Sequence, residues 1–266
     1  MMPTVPMPDA ELGVRAALET LYVAFADAPR PRRLRGCPCC VSEAEACALL
    51  ARPLRALLGD DLDRYAWKAV TTMGSADDLA YFVPRLLELL ALDRLGADPE
   101  PVLAKLAYGY DEWSEPRRHA VDGLFEAVLA RELARPRGDV DAWICGCALG
   151  TTDAAARLAA VLDAPGALAG LTRWADRNRD VTGALELRSG YWGPDDPGAR
   201  ALLAWLGRPE VSHALGKAGG GDGVFASERC LLTGLVDARG RVLLDVEFEV
   251  HPGAAGSLRI ALSHAR

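Results

Sequence analysis

The residues best suited to chemistry are three cysteines crowded into one short segment, Gly36-Cys37-Pro38-Cys39-Cys40. Cys37 and Cys40 have the C-x-x-C spacing, and Cys39 adds a third thiol between them. Two thiolates at this spacing on a tight turn are able to share one zinc ion at about 2.3 Å per bond. A structural zinc ion takes four ligands, and Cys39 and Cys47 are the nearest candidates to extend the set. The segment is therefore a candidate metal site, and zinc is the only cofactor that the sequence indicates.

Two other interpretations of these thiols stay open. The first is a redox pair, but a C-x-x-C disulfide catalyst normally sits at a helix N-terminus within a βαβ pattern, which the sequence lacks. The second is a set of ordinary reduced thiols. This is the default interpretation because there is no second C-x-x-C, and Val41 stands where a zinc knuckle usually has glycine.

The remaining candidates for chemistry are weaker. Cys145-Gly146-Cys147 falls on a predicted helix, where Cys147 lies on the apolar stripe and Cys145 points nearly the opposite way. Both thiols reach one ion only if Gly146 breaks the helix. The four histidines show no metal-binding spacing, and no serine or carboxylate forms a recognisable catalytic motif. We predict no catalytic residue.

Four arginines precede the cysteines, and they could grip a phosphate or an acidic partner: Arg30, Arg32, Arg33 and Arg35. The simpler interpretation is a solvated linker that pairs with acidic helix ends. The formal net charge of −7 favours that interpretation and argues against broad adhesion to nucleic acid or to an anionic membrane.

Size and composition indicate an ordinary globular protein. The chain has 266 residues, of which half are hydrophobic and only 6% aromatic, so the core must be aliphatic. No apolar run approaches the roughly 20 residues that span a bilayer. The N-terminal residues lack the basic and apolar regions of a signal peptide. Seven cysteines without a secretion signal predict reduced thiols and a cytoplasmic location.

Helical periodicity dominates the elements that must position these residues. Ser42 and Glu45 form a capping-box pattern, which predicts a helix over 43–52. The clearest amphipathic helix then starts at Asp60 and is predicted to run to Met73, and Gly59 is predicted to close the piece before it. Further helices are predicted over 9–25, 75–92 (with a kink or restart at Pro84), 100–107, 115–134, 140–149, 153–162, 165–175, 197–206 and 209–215.

The predicted fold class is mainly α: a multi-helix antiparallel hairpin array, bundle-like or solenoid-like, with a small C-terminal antiparallel β meander. Alternation of apolar and polar residues over Val242–Val250 predicts a half-buried strand, with partners before and after it. We divide the chain into a flexible N-terminus (1–8), a helical domain (9–218), a Gly-rich linker (219–223) and a β-rich appendage (224–266).

Part of the chain resembles a group of uncharacterised bacterial helical proteins. The resemblance begins at Cys37-Pro38-Cys39-Cys40, continues through the stretch from Tyr65 to Gly74, and ends over Pro84-Arg85-Leu86-Leu87-Glu88-Leu89. Those proteins are similar in having a C-P-x-C turn ahead of a helical pair. The resemblance covers about a quarter of the chain and implies no known activity, and the strand-rich tail lies outside it.

The function that these features favour is a non-catalytic helical scaffold or adaptor that binds another protein or a second copy of itself. Many amphipathic helices with short connections readily form binding faces. A rival from another class is a thiol- or metal-dependent enzyme centred on Cys37 and Cys40. A third hypothesis is a nucleic-acid binder that uses the Arg30–Arg35 cluster, although the negative charge makes nucleic acid and membranes unfavourable partners.

Overall fold

A computed structural model describes residues 8–151 and 167–177, together with the backbone of four short strands. The described part is mainly α-helical, which confirms that part of the predicted fold class. None of its helices combines the length and apolar composition needed to cross a membrane. The helices are α1 (Pro8–Ala24), α2 (Glu43–Ala51), α3 (Gly59–Lys68), α4 (Ala76–Ala91), α5 (Pro99–Ala104), α6 (Glu115–Ala134), α7 (Val140–Gly150) and α8 (Ala167–Arg177).

Two helices begin at complete capping boxes. The Ser42 hydroxyl accepts a bond from the Glu45 amide at 3.2 Å, and the Glu45 carboxylate accepts one from the Ser42 amide at 3.2 Å. Ser75 and Asp78 make the same reciprocal pair at the start of α4. This helix then runs without interruption through Pro84, so the predicted restart does not occur. Local capping thus fixes where both helices start.

The core is formed by helices that are distant in the sequence as well as by neighbours. Helix α6 packs against α1, α7 and α8, while α5 packs against α7. Phe25, just beyond α1, meets Trp113 edge to face with ring centroids 5.1 Å apart. Aliphatic side chains fill most of the interior, as the low aromatic content predicts.

Two glycines allow close approach of neighbouring segments. Gly59 was predicted to close a helical piece but instead begins α3, and a Cβ there would lie 2.0 Å from the Arg94 carbonyl oxygen. On α7, a Cβ at Gly146 would lie 2.3 Å from Leu103 Cδ1 of α5. The two contacts explain why a side chain is excluded at each position.

A buried ion pair joins three helix ends. Arg131 and Glu132, near the end of α6, are only 2% and 3% exposed, and their Nη2 and Oε1 atoms lie 2.7 Å apart. Arg131 Nη1 donates to the Ala91 carbonyl at the end of α4 at 2.6 Å. The Asp139 amide, which precedes α7, donates to Glu132 Oε2 at 2.9 Å. The pair therefore ties α4, α6 and α7 together.

The sequence-based prediction for α3 was wrong at its end. The helix was predicted to reach Met73, but it ends at Lys68. Val70 has a φ of 66°, in the left-handed region that a β-branched residue rarely adopts, and its amide donates to the Met73 carbonyl at 3.0 Å. The chain turns back here because Met73 forms an antiparallel bridge with Gly36, a distant partner that helical periodicity does not reveal.

Four strands are described by their backbone alone: β1 (Leu185–Leu187), β2 (Leu232–Val236), β3 (Val242–Glu249) and β4 (Ser257–Ala261). They pair antiparallel in the order β1-β4-β3-β2, with Glu247 opposite Arg259. No strand was predicted at β1. The predicted linker at 219–223 and the helices predicted over 153–162, 197–206 and 209–215 lie outside the described residues, so a separate C-terminal β meander stays a prediction.

Candidate metal centre

The cysteine turn, residues 36–41, lies between α1 and α2 and is held from outside by the turn that follows α3. The Cys37 amide donates to the Thr72 carbonyl at 2.9 Å, and the Gly74 amide donates to the Arg35 carbonyl at 2.7 Å. These bonds flank the bridge between Gly36 and Met73. A short antiparallel pairing therefore fixes the backbone where the cysteines begin.

Bonds within the turn fold its end back towards its start. The amides of Cys40 and Val41 both donate to the Cys37 carbonyl at 2.9 Å. The Cys40 carbonyl in turn accepts bonds from two side chains of α3: Arg64 Nη2 at 3.0 Å, and Lys68 Nζ. The two basic side chains thus hold the far end of the turn to the helix.

This backbone gathers three sulfur atoms. Cys37 Sγ lies 2.8 Å from Cys39 Sγ, which lies 3.4 Å from Cys40 Sγ, and all three atoms are within 4.8 Å of one another. No histidine, aspartate or glutamate among the described residues joins this group. Cys39 is exposed and the other two are half-buried, so the sulfurs are accessible from solvent.

Cys37 and Cys39 do not hold their protons equally. Hydrogen bonding from the Cys39 thiol lowers the pKa of Cys37, the backbone amides of Cys39 and Cys40 add to that effect, and burial opposes it. The same bond, with that to Cys40 and the neighbouring negative charge, raises the pKa of Cys39 to about 11. Of these two, Cys37 is therefore the preferred thiolate, and Cys39 retains its proton at neutral pH.

The structure unites only part of the predicted ligand set. Cys37, Cys39 and Cys40 come together, whereas Cys47 lies on α2 as an exposed thiol outside the group. Helix α7 is unbroken, and both cysteines of the Cys145-Gly146-Cys147 segment are fully buried in the core. Cys147 was expected there, while the burial of Cys145 on the same helix was not anticipated.

The sequence analysis did not predict the hydrogen bonds that hold the cysteine turn in place. The pairing with Thr72 and the bonds from Arg64 and Lys68 come from a region read as plain amphipathic helix. One signal was available: Val70-Thr71-Thr72 is a β-branched run ahead of Gly74, and such residues favour extended backbone over helix. That run indicates an early end to α3.

Two of the four clustered arginines contact α2, and the other two are exposed. Arg30 donates to the carbonyls of Leu50 and Arg52, the latter at 3.3 Å, and so covers the C-terminal end of α2. Arg33 lies 3.4 Å from Glu43 in the first turn of α2, with both side chains well exposed. These contacts fit the linker interpretation. Arg32 and Arg35 are exposed and have no ion pair with a described residue.

The three-sulfur group fits a thiophilic metal ion. Four Zn–S bonds of about 2.3 Å place the sulfurs of a tetrahedron about 3.8 Å apart. Cys39 Sγ lies closer than that to both neighbours, at 2.8 and 3.4 Å, so binding of the ion requires the exposed Cys39 side chain to move outwards. Thiolates are the ligands that zinc and copper(I) prefer, and three of them leave a fourth coordination position for another donor.

No protein-family model matches the sequence, and no curated protein or solved structure matches it significantly.

Proposed function

We propose that the chain is a non-catalytic helical scaffold whose cysteine turn binds one zinc ion through Cys37, Cys39 and Cys40. The observation that carries the proposal is the gathering of three sulfurs within 4.8 Å on a turn whose backbone is anchored to a separate segment. An anchored backbone reduces the ordering that ligand binding otherwise requires. The ion then fixes the turn and, through it, the loop between α1 and α2.

The incomplete ligand set supports an adaptor role. Three protein ligands leave one position that a water molecule, a second copy of the chain or a partner protein fills. An accessible position on an exposed turn suits a donor that arrives from outside. In this proposal the partner is a protein, and the net charge of −7 disfavours nucleic acid and anionic membranes.

A metal-dependent enzyme is the second candidate, because catalytic zinc sites also keep one position open. Hydrolysis at such a site uses a neighbouring general acid or base. No histidine or carboxylate of the described residues belongs to the sulfur group, and this favours the non-catalytic role. The enzyme proposal therefore needs a general acid or base from a part of the chain outside the cysteine turn.

The proposal also includes the arrangement of the helices and of the C-terminal strands. The helices form an antiparallel array of hairpins, and the C-terminal strands form a small meander beyond a linker at 219–223. A cytoplasmic location keeps the thiols reduced, as metal binding requires. Cys37, Cys39, Cys40 and Cys47 are free thiols in the described part of the chain, which is compatible with that location.

Metal analysis of the full chain tests the proposal. The protein, prepared under reducing conditions with zinc and then dialysed, is expected to retain about one zinc ion per chain. Cys39→Ser should lose most of that zinc because it removes one of three thiolates. Cys47→Ser is the matched control and should retain it all, since Cys47 lies outside the group.

Two results contradict the proposal. Wild-type protein that retains no zinc or other thiophilic metal rules out the site. Equal loss of metal in Cys39→Ser and Cys47→Ser shows that the ligands are not those of the turn. Hydrolytic activity that depends on the bound zinc, and disappears with Cys39→Ser, would instead support the enzyme.

A further inference from the structure

A cleft of about 700 Å³ lies beside the cysteine turn and is lined by the chain at 32–38 and by the start of α2. This volume is in the range of small-molecule sites in proteins. We call it the arginine cleft. Its polar lining consists of Arg32, Arg33, Arg35, Ser42, Glu43 and Cys47, and the rest of the lining is Leu34, Gly36, Pro38, Val41, Ala46 and Leu50.

Three arginines line the cleft with few acidic partners among the described residues. Arg32 and Arg35 have no ion pair with a described residue, although the whole chain carries a net charge of −7. Within the described part of the chain, Arg33 pairs with Glu43, and the two side chains are 76% and 78% exposed. Such exposed pairs are weak, so Glu43 is a competitor that an incoming anion displaces readily.

The floor of the cleft is apolar. Leu34, Val41 and Ala46 are buried, and Leu50 is partly buried and packs against the same core. A small inorganic anion at the rim leaves the apolar part of this lining uncovered. A ligand with an apolar body covers it and gains the free energy of that burial.

The start of α2 does not supply the anion site. The Ser42 hydroxyl already accepts from the Glu45 amide, and the first helical turn carries two carboxylates, Glu43 and Glu45. Their negative charge opposes a further anion at the helix end. Recognition of an anion therefore falls to the arginines, whose planar guanidinium groups bind carboxylate and phosphate through paired hydrogen bonds.

We propose that the arginine cleft binds an amphipathic organic anion. Its carboxylate or phosphate group meets the rim arginines, and its short apolar chain lies over Val41, Ala46 and Leu50. The proposal adds a second site to the chain and does not rest on the bound metal, because none of the three metal-ligand cysteines lines the cleft. Carboxylate and phosphate share the recognition chemistry, so the probes must separate them.

Calorimetric titration of the full chain tests the proposal with four probes: octyl phosphate, octanoate, inorganic phosphate and neutral octanol. The two ionic amphiphiles are used below their micellar concentrations, and octanol is used below its solubility limit. Octyl phosphate or octanoate should bind saturably at one site. Inorganic phosphate and octanol should each bind at least about tenfold more weakly, because phosphate lacks the apolar chain and octanol lacks the anionic group. Binding of both amphiphiles, or of either one, supports the proposal and identifies the head group.

Charge-matched variants locate the site. Arg35→Gln should weaken binding of the amphiphile about tenfold by removing a charge-assisted hydrogen bond. Glu43→Gln should strengthen binding, because it frees Arg33 from its competitor. Arg15→Gln, which removes the same charge from an exposed position of α1, should leave the affinity unchanged. Circular dichroism and the zinc content should be the same in all four proteins.

Four outcomes overturn the proposal. These are no saturable binding of either amphiphile, octanol binding as tightly as octanoate, equal weakening by Arg35→Gln and Arg15→Gln, and inorganic phosphate binding as tightly as octyl phosphate. A single-stranded oligonucleotide that binds the cleft arginines while the amphiphiles do not would assign the site to nucleic acid instead. Metal content is measured separately, so failure here leaves the zinc proposal standing.

Discussion

Cys37 and Cys39 hold their protons differently although their sulfurs are 2.8 Å apart. The Cys37 thiolate is stabilised by the Cys39 thiol and by two backbone amides, while the pKa of Cys39 is raised to about 11. In the proposed site, Cys37 is already the favoured thiolate, whereas Cys39 must lose a proton before it can bind the metal ion. The proposed metal binding should therefore depend on pH.

The affinity for zinc should rise with pH. Cys39 is protonated throughout the range from pH 6 to 8, because its pKa is about 11, and its proton is released when the metal binds. Each released proton raises the apparent association constant about tenfold per pH unit. Competition titrations with a chelator at several pH values measure this slope. A slope near zero would show that Cys39 is not a ligand.

Val70 provides a test of the backbone at residue scale. In a helix, alanine is more stabilising than glycine by about 1 kcal/mol. With a φ of 66°, the order reverses, because glycine adopts the left-handed region without the strain of a Cβ. We expect Val70→Gly to be more stable than Val70→Ala by about 1 kcal/mol in urea unfolding. A more stable Val70→Ala variant would instead indicate that α3 continues through Val70, as the sequence analysis predicted.

Which residues could be predicted depends on how far away their partners are. The capping boxes at Ser42 and Ser75 act within four residues, so the sequence predicts both helix starts correctly. Val70 could not be placed in the same way, because its backbone conformation follows from a bridge between Met73 and Gly36. Cys39 also lies close to Cys37 in sequence, within the same short turn, and their sulfurs meet as a result. Cys47 was proposed because it is the next cysteine in the sequence, but it lies on α2 and outside the group.

At the scale of elements, helix ends are joined by buried charge as well as by apolar contacts. Arg131 and Glu132 are nearly inaccessible, yet each also bonds to backbone from a different element. Sequence patterns treat two adjacent charged residues on a helix as solvated. Their burial follows from the approach of α4 and α7 to the end of α6, which periodicity within α6 cannot show.

Glu132→Gln should destabilise the protein strongly. The substitution removes the nearer of two carboxylates that pair with the buried Arg131: Glu132 lies 2.7 Å away, and the partly exposed Glu11 lies 3.9 Å away. A buried charge that loses its partner costs about 3 kcal/mol or more, and the more distant Glu11 offsets only part of that loss. Chemical denaturation measures the change. The control is Glu19→Gln, which removes an exposed carboxylate paired with Arg55 and should change stability little. Similar effects of both variants would mean that the Arg131 pair is solvated.

At the scale of the whole molecule, the strands connect distant parts of the sequence. Strand β1 precedes the predicted linker at 219–223, and it pairs with β4, which follows that linker. The remaining pairs join β4 to β3 and β3 to β2. The alternating sequence of β3 predicts one apolar face of this sheet, and such a face needs a cover from water.

Deleting the residues after Gly223 should therefore lower the melting temperature or the solubility. The deletion removes β2, β3 and β4 and leaves β1 without its partner. Thermal unfolding and the soluble yield of the two chains give the comparison. A truncated chain that is as stable and as soluble as the full one would identify the tail as an independent attachment that binds elsewhere.

The three sulfurs of the cysteine turn belong to four consecutive residues, and this has a consequence for biosynthesis. The three proposed ligands emerge from the ribosome together, but the residues that hold their backbone, from Arg64 to Gly74, are translated later. The proposed zinc site is therefore complete only after α3 and the turn that follows it have emerged. A nascent chain stalled before Gly74 presents the three thiols without the backbone bonds that anchor them.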